Sequence, residues 1–435
     1  MKRREFLKKS LATAGLLSLS TGVGMRNLAM AAGGDYKALV CVFLAGGNDS
    51  HNMLIPTHSA RYDEYSAAKG ALALDKNHLI DLSIGGDLAF GAHPALSPLS
   101  DLFAQGKMTA IVNTGNLIAA GDRADFEAKT VPSISRLGSH ADMQAAKRSG
   151  FVGGNIETGW AGRMLDTLAT PVYDFSPAYS TGEETDFLLS NSYQQVLLSE
   201  SANINAFGLA AGLEQTFKDD MAVERTNLFR QQINLIKQQM LSSGAQLDPL
   251  LEAELTTSFP KTSLASKLAL VAKVIKGNAA LSQQRQIFYV VQGGYDTHNN
   301  QLAAQERLYK ELADALAAFQ GELDVSGLGS NVTSFTMSDF GRSQLTNGTG
   351  TAHGWAGHEL MMGDAVLGGR YYGDIPDLVH DGNWSINNNG RMIPTTSADQ
   401  VAATLAHWFG APTNTLDSLF PNLANFNQKT LGFLS

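Results

Sequence analysis

Four short apolar runs punctuate the chain, and each has the length of a buried β-strand. They are residues 37–44 (KALVCVFL), 108–113, 286–292 (QIFYVVQ) and 332–336. Apolar runs of this length, bounded by glycine or polar turns, are typical of strands covered on both faces. The pattern therefore predicts a sheet whose strands are mostly parallel.

Helical periodicity fills much of the remaining sequence. Residues 397–409 (SADQVAATLAHWF) read as a helix with a capping serine. Three further apolar stripes are Phe229, Ile233, Ile236 and Met240; Leu264, Leu268, Val271 and Ile275; and Leu308, Leu312, Leu316 and Phe319, with Gly321 at the end of the last helix. Strands alternating with helices predict an α/β fold, a three-layer α/β/α sandwich around a mostly parallel sheet. Residues 170–201 have no clear period, and the region 170–280 could form a cap or a helical insertion.

Three of the predicted strands end in a turn that carries an aspartate. Asp49 follows the first strand, Asp296 the third and Asp339 the fourth. Parallel strands present their C-terminal ends along one edge of a sheet, where open α/β sheets build their sites. We therefore expect the three carboxylates to meet. A single aspartate after a strand is more often a turn or capping residue, and that alternative stays open for each of them.

Two histidines near these aspartates complete a candidate metal site. His298 lies two residues after Asp296, and His353 lies in the glycine-rich loop that follows Asp339. The predicted ligand set is thus Asp49, Asp296, His298, Asp339 and His353. Mixed oxygen and nitrogen ligands suit Zn or Mn, or Mg or Ca if the histidines do not bind the ion directly. Divalent ions at this edge could clamp a phosphoryl or sulfuryl group and polarise a serine nucleophile.

Ser139 and Arg342 are the candidate catalytic residues. Ser139 could cap a helix that starts at His140, and the N-terminus of that helix would point at whatever the serine contacts. Arg342 is the cation nearest to Asp339 in sequence and could equally pair with one of the carboxylates. Other catalytic signatures are missing from the sequence: it has neither a G-x-S-x-G elbow nor a phosphate-binding G-x-x-x-x-G-K-[ST] loop.

The N-terminus has the features of an export signal. MKRREFLKK contains the pair Arg3 and Arg4 ahead of Phe6, the twin-arginine pattern. The following apolar stretch, residues 11–23, is too short and too diluted for a stable membrane span. We expect residues 1–31 to be a twin-arginine signal peptide and residues 32–435 a single domain, periplasmic or secreted. The twin-arginine translocation machinery would be a partner, and it transports proteins that are already folded.

Charge and cysteine content exclude several classes of partner and site. Removal of residues 1–31 takes away six basic residues and one acidic residue, which moves the formal charge from -9 to -14. Such an acidic protein is not expected to bind nucleic acid or anionic lipid. The only cysteine, Cys41, rules out an internal disulfide and a thiolate metal cluster.

Several motifs together resemble those of one exported bacterial family. They are the twin-arginine leader, FLAGGNDSHNMLIP, GSHADMQ, TGWAGRMLD, GGYDTHNNQ, SDFGR and HGWAGHELMMG. The sequence resembles the family called domain of unknown function 1501, from about residue 35 to the closing LFPNL and TLGFL. That family in turn resembles the alkaline phosphatase superfamily, which implies an α/β/α fold, two metal ions and a serine or threonine nucleophile.

The resemblance also implies roles for individual residues. Asp49 matches the metal-binding aspartate of the first strand, Ser139 the nucleophile, Asp296 the aspartate of the second metal, Asp339 the bridging aspartate, and His353 the late histidine. The sequence departs from the superfamily pattern at two positions. Phe340 stands where a histidine usually follows the bridging aspartate, and Asn300 stands where another histidine is expected, with His298 two residues away. An intact site for two zinc ions is therefore not expected, and one ion, a harder metal or no metal at all stay open as alternatives.

The leading functional hypothesis is an exported metal-dependent hydrolase of phosphate or sulfate esters with a reduced metal site. Its substrate would be a small-molecule or glycan ester. The alternative is a non-catalytic exported protein that keeps the fold as a binding or assembly scaffold. Occupation of the site by an ion separates the two hypotheses.

Overall fold

The computed structural model of the protein has a nine-stranded sheet at its centre. The strands of the structure, in chain order, are β1 (Lys37–Ala45), β2 (Leu54–Pro56), β3 (Ile80–Asp81), β4 (Phe90–Ala92), β5 (Met108–Gly115), β6 (Ala178–Thr181), β7 (Val196–Leu197), β8 (Arg285–Gly293), β9 (Val332–Ser338), β10 (Arg342–Thr346), β11 (Thr351–His353), β12 (Gly357–Met362), β13 (Tyr371–Tyr372), β14 (Ser385–Ile386), β15 (Arg391–Met392) and β16 (Thr396–Ser397). The central sheet has the order β13-β5-β12-β9-β1-β8-β6-β7, with β16 also paired to β5. The remaining strands form three small antiparallel sheets.

Parallel pairing dominates the central sheet. β1 lies between β8 and β9 and is parallel to both, with Cys41 opposite Tyr289 on one side and Phe335 on the other. β12 is the exception, because it runs antiparallel to both β5 and β9. The mostly parallel sheet and the α/β class predicted from the sequence are confirmed.

Helices cover both faces of this sheet. The α-helices are α1 (Ser59–Lys69), α2 (Ser100–Ala104), α3 (Arg123–Ala128), α4 (His140–Ser149), α5 (Trp160–Thr167), α6 (Ser263–Lys276), α7 (Gln301–Val325), α8 (Ala398–Phe409) and α9 (Leu416–Leu419). Leu39, Cys41 and Phe43 of β1 share one apolar cluster with residues of α5 and α8. Since side chains alternate along a strand, Val40 and Val42 face the opposite side, where α6 packs against β8 and α7 packs against α6. Each fully buried valine, leucine or phenylalanine contributes about 1.5–3 kcal/mol to this core.

The predicted helices that lie among the described residues agree with the structure except at one end. The stripe from Leu264 to Ile275 lies in α6, and Ser397 caps α8 in a reciprocal capping box with Gln400. The helix expected to end at Gly321 continues to Val325, because Leu323 in this last part is buried and Gly321 itself lies within a regular helix.

The segment without periodicity contributes two strands to the central sheet, β6 and β7. Residues 178–181 form β6, which pairs with β8 inside the central sheet. This part of the predicted cap is therefore sheet and not a cover over the site. The four residues AYST are all buried, so no alternation of polar and apolar positions marked them as a strand.

The structure describes residues 35–84, 89–152, 157–168, 173, 175–198, 219, 227, 230–231, 234, 246–387 and 389–435. The predicted signal peptide and the four residues of the stripe from Phe229 to Met240 lie outside the described residues. Lys37–Ser435 form one unit by their internal contacts. None of the described helices is long and apolar enough to cross a membrane.

Candidate metal centre

The three predicted aspartates follow neighbouring strands of the sheet. β9, β1 and β8 are adjacent and parallel, so their C-terminal ends lie at the same edge. Gly46, in the turn after β1, has φ +118°, and a Cβ there would lie 2.4 Å from the backbone nitrogen of Asp296. The turns that carry Asp49 and Asp296 therefore touch, and a glycine permits this approach.

Asp296, His298 and His353 form a triangle of ligand-type atoms. The distance from Asp296 Oδ1 is 3.1 Å to His298 Nε2 and 3.2 Å to His353 Nε2. The two Nε2 atoms are 2.9 Å apart. Ligand bonds of about 2.0–2.2 Å place two donors of one ion roughly 3–3.5 Å apart, so these three residues fit a divalent ion.

His140 adds a fourth donor beside this triangle. Its Nε2 lies 3.6 Å from Asp296 Oδ2. One ligand atom each of His140, Asp296 and His353 lie within 4.8 Å of one another, close enough to hold a metal ion. From the sequence, His140 was predicted only as the first residue of a helix. Its position directly after Ser139, in a motif with a proposed role, was the one feature of the sequence from which a place in the site could have been predicted.

Hydrogen bonds on the far side of two imidazoles orient them toward the centre. His353 Nδ1 is 2.6 Å from the carbonyl oxygen of Gly138, and His140 Nδ1 is 2.7 Å from Asp339 Oδ2. Because both partners are acceptors, each Nδ1 carries the hydrogen, and Nε2 of the neutral ring keeps its lone pair. Burial lowers the pKa of His353, which favours this neutral form. Histidines that bind metals are commonly held by such outer partners.

Asp339 acts as one of these partners. Its carboxylate is buried and accepts hydrogen bonds from Gly46 N (3.1 Å) and Gln144 Nε2 (2.8 Å) in addition to the contact with His140. Asp339 was predicted to bind the ion directly; here its carboxylate contacts the His140 ring and reaches the centre through it. Gln144 was not singled out from the sequence.

Arg342 contacts Asp296 from inside the protein. Its Nη2 donates to Asp296 Oδ1 at 2.7 Å and to the carbonyl oxygen of Tyr295 at 3.3 Å, and the arginine side chain has no exposed surface. Partial burial opposes ionisation of Asp296, but the hydrogen bond and charge of Arg342 outweigh it and hold the pKa of this carboxyl below its usual value. In this position Arg342 keeps Asp296 ionised and oriented.

Asp49 does not join the triangle. Its Oδ2 is 2.6 Å from Lys69 Nζ and also accepts a hydrogen bond of 2.6 Å from Gln301 Nε2. Both side chains of the ion pair are fully inaccessible to solvent. Lys69 and Gln301 were not singled out from the sequence, because each is a common residue on a helix with no neighbouring signal.

Ser139 is the N-cap of α4, as the sequence predicted. Its hydroxyl accepts a weak hydrogen bond from Asp142 N (3.4 Å) and makes a short contact with the Asp142 carboxylate. The serine therefore lies one residue from His140, with a carboxylate positioned to accept its hydroxyl hydrogen.

Phe340 forms an apolar wall behind two of the histidines. Its ring centroid lies 4.9 Å from that of His140 and 4.8 Å from that of His353. The side chain thus packs the imidazoles against one another, at the position where the superfamily resemblance would place a histidine.

Comparison with known proteins adds a family and several distant structures. A family model described as protein of unknown function (DUF1501) matches residues 36–388. A comparison with curated protein sequences finds no match. Among solved structures, the chain is similar to the lipoteichoic acid synthase LtaP from Listeria monocytogenes, with 9% identity over 87% of this chain and 72% of that chain and a TM-score of 0.36.

Two further structures are similar to the same extent. The PsFucS1 sulfatase from Pseudoalteromonas sp. has 11% identity over 95% of this chain and 73% of that chain, with a TM-score of 0.37. A protein in the alkaline phosphatase superfamily from Vibrio parahaemolyticus has 10% identity over 94% of this chain and 76% of that chain, with a TM-score of 0.36. Likeness this distant assigns no role to any residue.

Proposed function

The chain belongs to the DUF1501 family of proteins of unknown function, and we propose that it is an exported metal-dependent hydrolase of phosphate or sulfate esters. The triangle of Asp296, His298 and His353 carries this proposal. Its three donor atoms lie at the mutual distances expected for ligands of one ion, and the side chain of Asp296 is 47% exposed, so the site is open to a substrate. Fold membership alone would not support an activity.

The donor set favours Zn or Mn over Mg or Ca. Two imidazole nitrogens lie in the triangle and a third, from His140, lies beside it, whereas Mg and Ca prefer oxygen ligands. An ion bound there would supply a Lewis acid toward an ester oxygen.

The protein's own residues provide the remaining parts of an ester-cleaving site. Ser139 is the proposed nucleophile, and the Asp142 carboxylate in contact with it would accept the proton of its hydroxyl. The N-terminus of α4 would stabilise negative charge near the serine. Phe340 excludes water from the rear of His140 and His353, and Arg342 keeps Asp296 ionised.

We further propose that the protein reaches the periplasm or the exterior through the twin-arginine machinery. The pair Arg3 and Arg4 supports this route. Replacement of both by lysine is expected to leave the precursor in the cytoplasm, as measured by fractionation. The substrate would be a small-molecule or glycan ester.

The activity is tested by assaying wild type and Ser139→Gly with a panel of phosphate monoesters, phosphate diesters and sulfate esters. Glycine keeps most of the capping geometry, with a stability cost of only a few tenths of a kcal/mol, but removes the hydroxyl. The expected result is hydrolysis by wild type and a loss of several orders of magnitude in the folded variant. Thr262→Gly, which alters the N-cap of the distant helix α6, is the matched control and should retain activity.

Two results would contradict the proposal. Equal turnover by wild type and Ser139→Gly would remove Ser139 as the nucleophile. If metal-loaded wild type hydrolyses no ester of the panel, the hydrolase is abandoned and the binding scaffold remains.

A further inference from the structure

Lys69 is a buried cation placed directly on one of the predicted metal ligands. It is the last residue of α1, and its ammonium lies 2.6 Å from Asp49 Oδ2, with neither side chain exposed to solvent. A second donor, Gln301 Nε2, occupies the same carboxylate oxygen at 2.6 Å. The negative charge of Asp49 is thus already balanced by the protein itself.

We propose that Lys69 occupies the position that a second cation would take, so that the centre binds one divalent ion, held by Asp296, His298 and His353 with His140 as the fourth donor beside them. The inference rests on the proposed function, because it specifies how many ions that function uses. It also names the residue that sets this number.

Fixed positive charge opposes a second ion near Asp49. Lys69 and Arg342 repel each other, and the charge of Asp49 acts on both. An ion brought to Asp49 would face two cations in a region where solvent does not screen their repulsion. Buried charges are expected to be paired, and Asp49 has its partner.

The Lys69–Asp49 pair also ties together the segments that carry the ion's ligands. Lys69 donates to the carbonyl oxygen of Ser343, the residue after Arg342, at 3.2 Å. Gln301, bound to Asp49, accepts a hydrogen bond of 2.6 Å from Thr351 Oγ1, two residues before His353. The pair therefore contacts these segments without binding the ion, and the ligand side chains Asp296 and His353 are themselves oriented by Arg342 and by the Gly138 carbonyl oxygen.

The number of ions is tested by calorimetric titration of the metal-free full chain with Zn²⁺. Wild type is expected to bind one Zn²⁺ per chain, and the neutral double variant Lys69→Met/Asp49→Asn is expected to bind one as well. Asp296→Asn should lower the Zn²⁺ affinity by at least about 100-fold. Two ions per wild-type chain would overturn the proposal, and so would a double variant that no longer binds Zn²⁺, because Asp49 would then be a ligand.

The charge balance is tested separately by a double-mutant cycle in chelator. Lys69→Met alone leaves a buried unpaired carboxylate and should raise the unfolding equilibrium constant by about two to three orders of magnitude. The double variant Lys69→Met/Asp49→Asn should raise the unfolding equilibrium constant far less than the product of the increases caused by Lys69→Met and by Asp49→Asn alone. If the effects of the two single substitutions on the unfolding equilibrium constant simply multiply, Lys69 is not the counter-charge of Asp49.

A second lysine–carboxylate pair serves as the control. Lys276 lies 2.6 Å from Glu322 Oε1, in the helices α6 and α7. Lys276→Met should leave Zn²⁺ stoichiometry and affinity unchanged.

The two tests separate the failure of the inference from that of the proposed function. If wild type binds no Zn²⁺ while the cycle shows strong coupling, the proposed metal-dependent function fails, and Lys69 stands as the counter-charge of Asp49. If wild type binds two ions and hydrolyses esters, the function stands and the inference fails.

Discussion

Asp49 and Asp296 have the same place in the sequence pattern and opposite surroundings in the fold. Each follows one of two neighbouring parallel strands, β1 and β8, in turns that touch. The side chain of Asp49 is completely buried against Lys69, whereas that of Asp296 is 47% exposed and faces two imidazoles. We infer from this comparison that the partner of a carboxylate, and not its place after a strand, decides whether it can bind an ion.

A third buried carboxylate extends the comparison. Asp399, in the first turn of α8, is only 3% exposed, and its Oδ2 has no hydrogen-bond partner among the described residues. Burial raises its pKa to about 8, although the charge of Arg163 opposes the shift. If the proposed metal site is correct, ion binding, pairing with lysine and retention of a proton are three ways in which one fold accommodates an aspartate.

The largest expected effect follows from neutralising Asp296. Asp296→Asn keeps the size of the side chain but removes the charge that attracts the ion. Loss of a residue that only hydrogen-bonds to a metal ligand lowers metal affinity about 10–100-fold. Because Asp296 is proposed as a ligand itself, its neutralisation should lower Zn²⁺ affinity by at least about 100-fold, and hydrolysis should fall with it. Titration calorimetry measures the change. Asp417→Asn, in an exposed pair with Lys429, is the control and should bind as wild type does.

A smaller effect is expected at Asp339, which supports the centre through His140. Asp339→Asn weakens the orientation of that imidazole and should lower Zn²⁺ affinity about 10–100-fold. The stoichiometry should stay at one ion per chain. An unchanged affinity would show that His140 does not contact the ion, and a complete loss of binding would make Asp339 a direct ligand.

The last prediction concerns Asp399, whose effect is on the stability of the fold and depends on pH. Its folded-state pKa of about 8 lies above the ordinary value of 3.8, so the folded state keeps a proton that the unfolded state releases. Between those two pH values, this group makes the folded protein less stable as pH rises. Asp399→Asn removes the dependence.

The free energy of unfolding of wild type should fall relative to that of Asp399→Asn as pH rises, by up to about 1.4 kcal/mol per pH unit. Urea unfolding at several pH values from 4 to 8 measures it. A difference that stays constant over this range would show that Asp399 is ionised in the folded state.

The sequence predicted the sheet edge better than the chemistry at that edge. Apolar runs located β1, β5, β8 and β9, because a buried parallel strand needs an apolar side chain on both faces. The position of Ser139 as a helix cap could also be predicted, because capping depends on residues that are close in sequence.

The residues that contact the aspartates from distant parts of the chain could not be predicted from the sequence. Lys69 reaches Asp49 from the end of a helix, 20 residues along the chain, and Gln301 reaches it across 252 residues. His140 joins Asp296 from a helix on another segment, 156 residues earlier in sequence. Such contacts depend on tertiary packing, and local patterns carry no information about them.

Anomalous X-ray scattering from crystals of the Zn²⁺-loaded protein tests the central comparison most directly. One anomalous peak is expected, between Asp296 Oδ1, His298 Nε2 and His353 Nε2, with the Lys69 ammonium still on Asp49. A second peak at Asp49, with Lys69 displaced, would contradict the account.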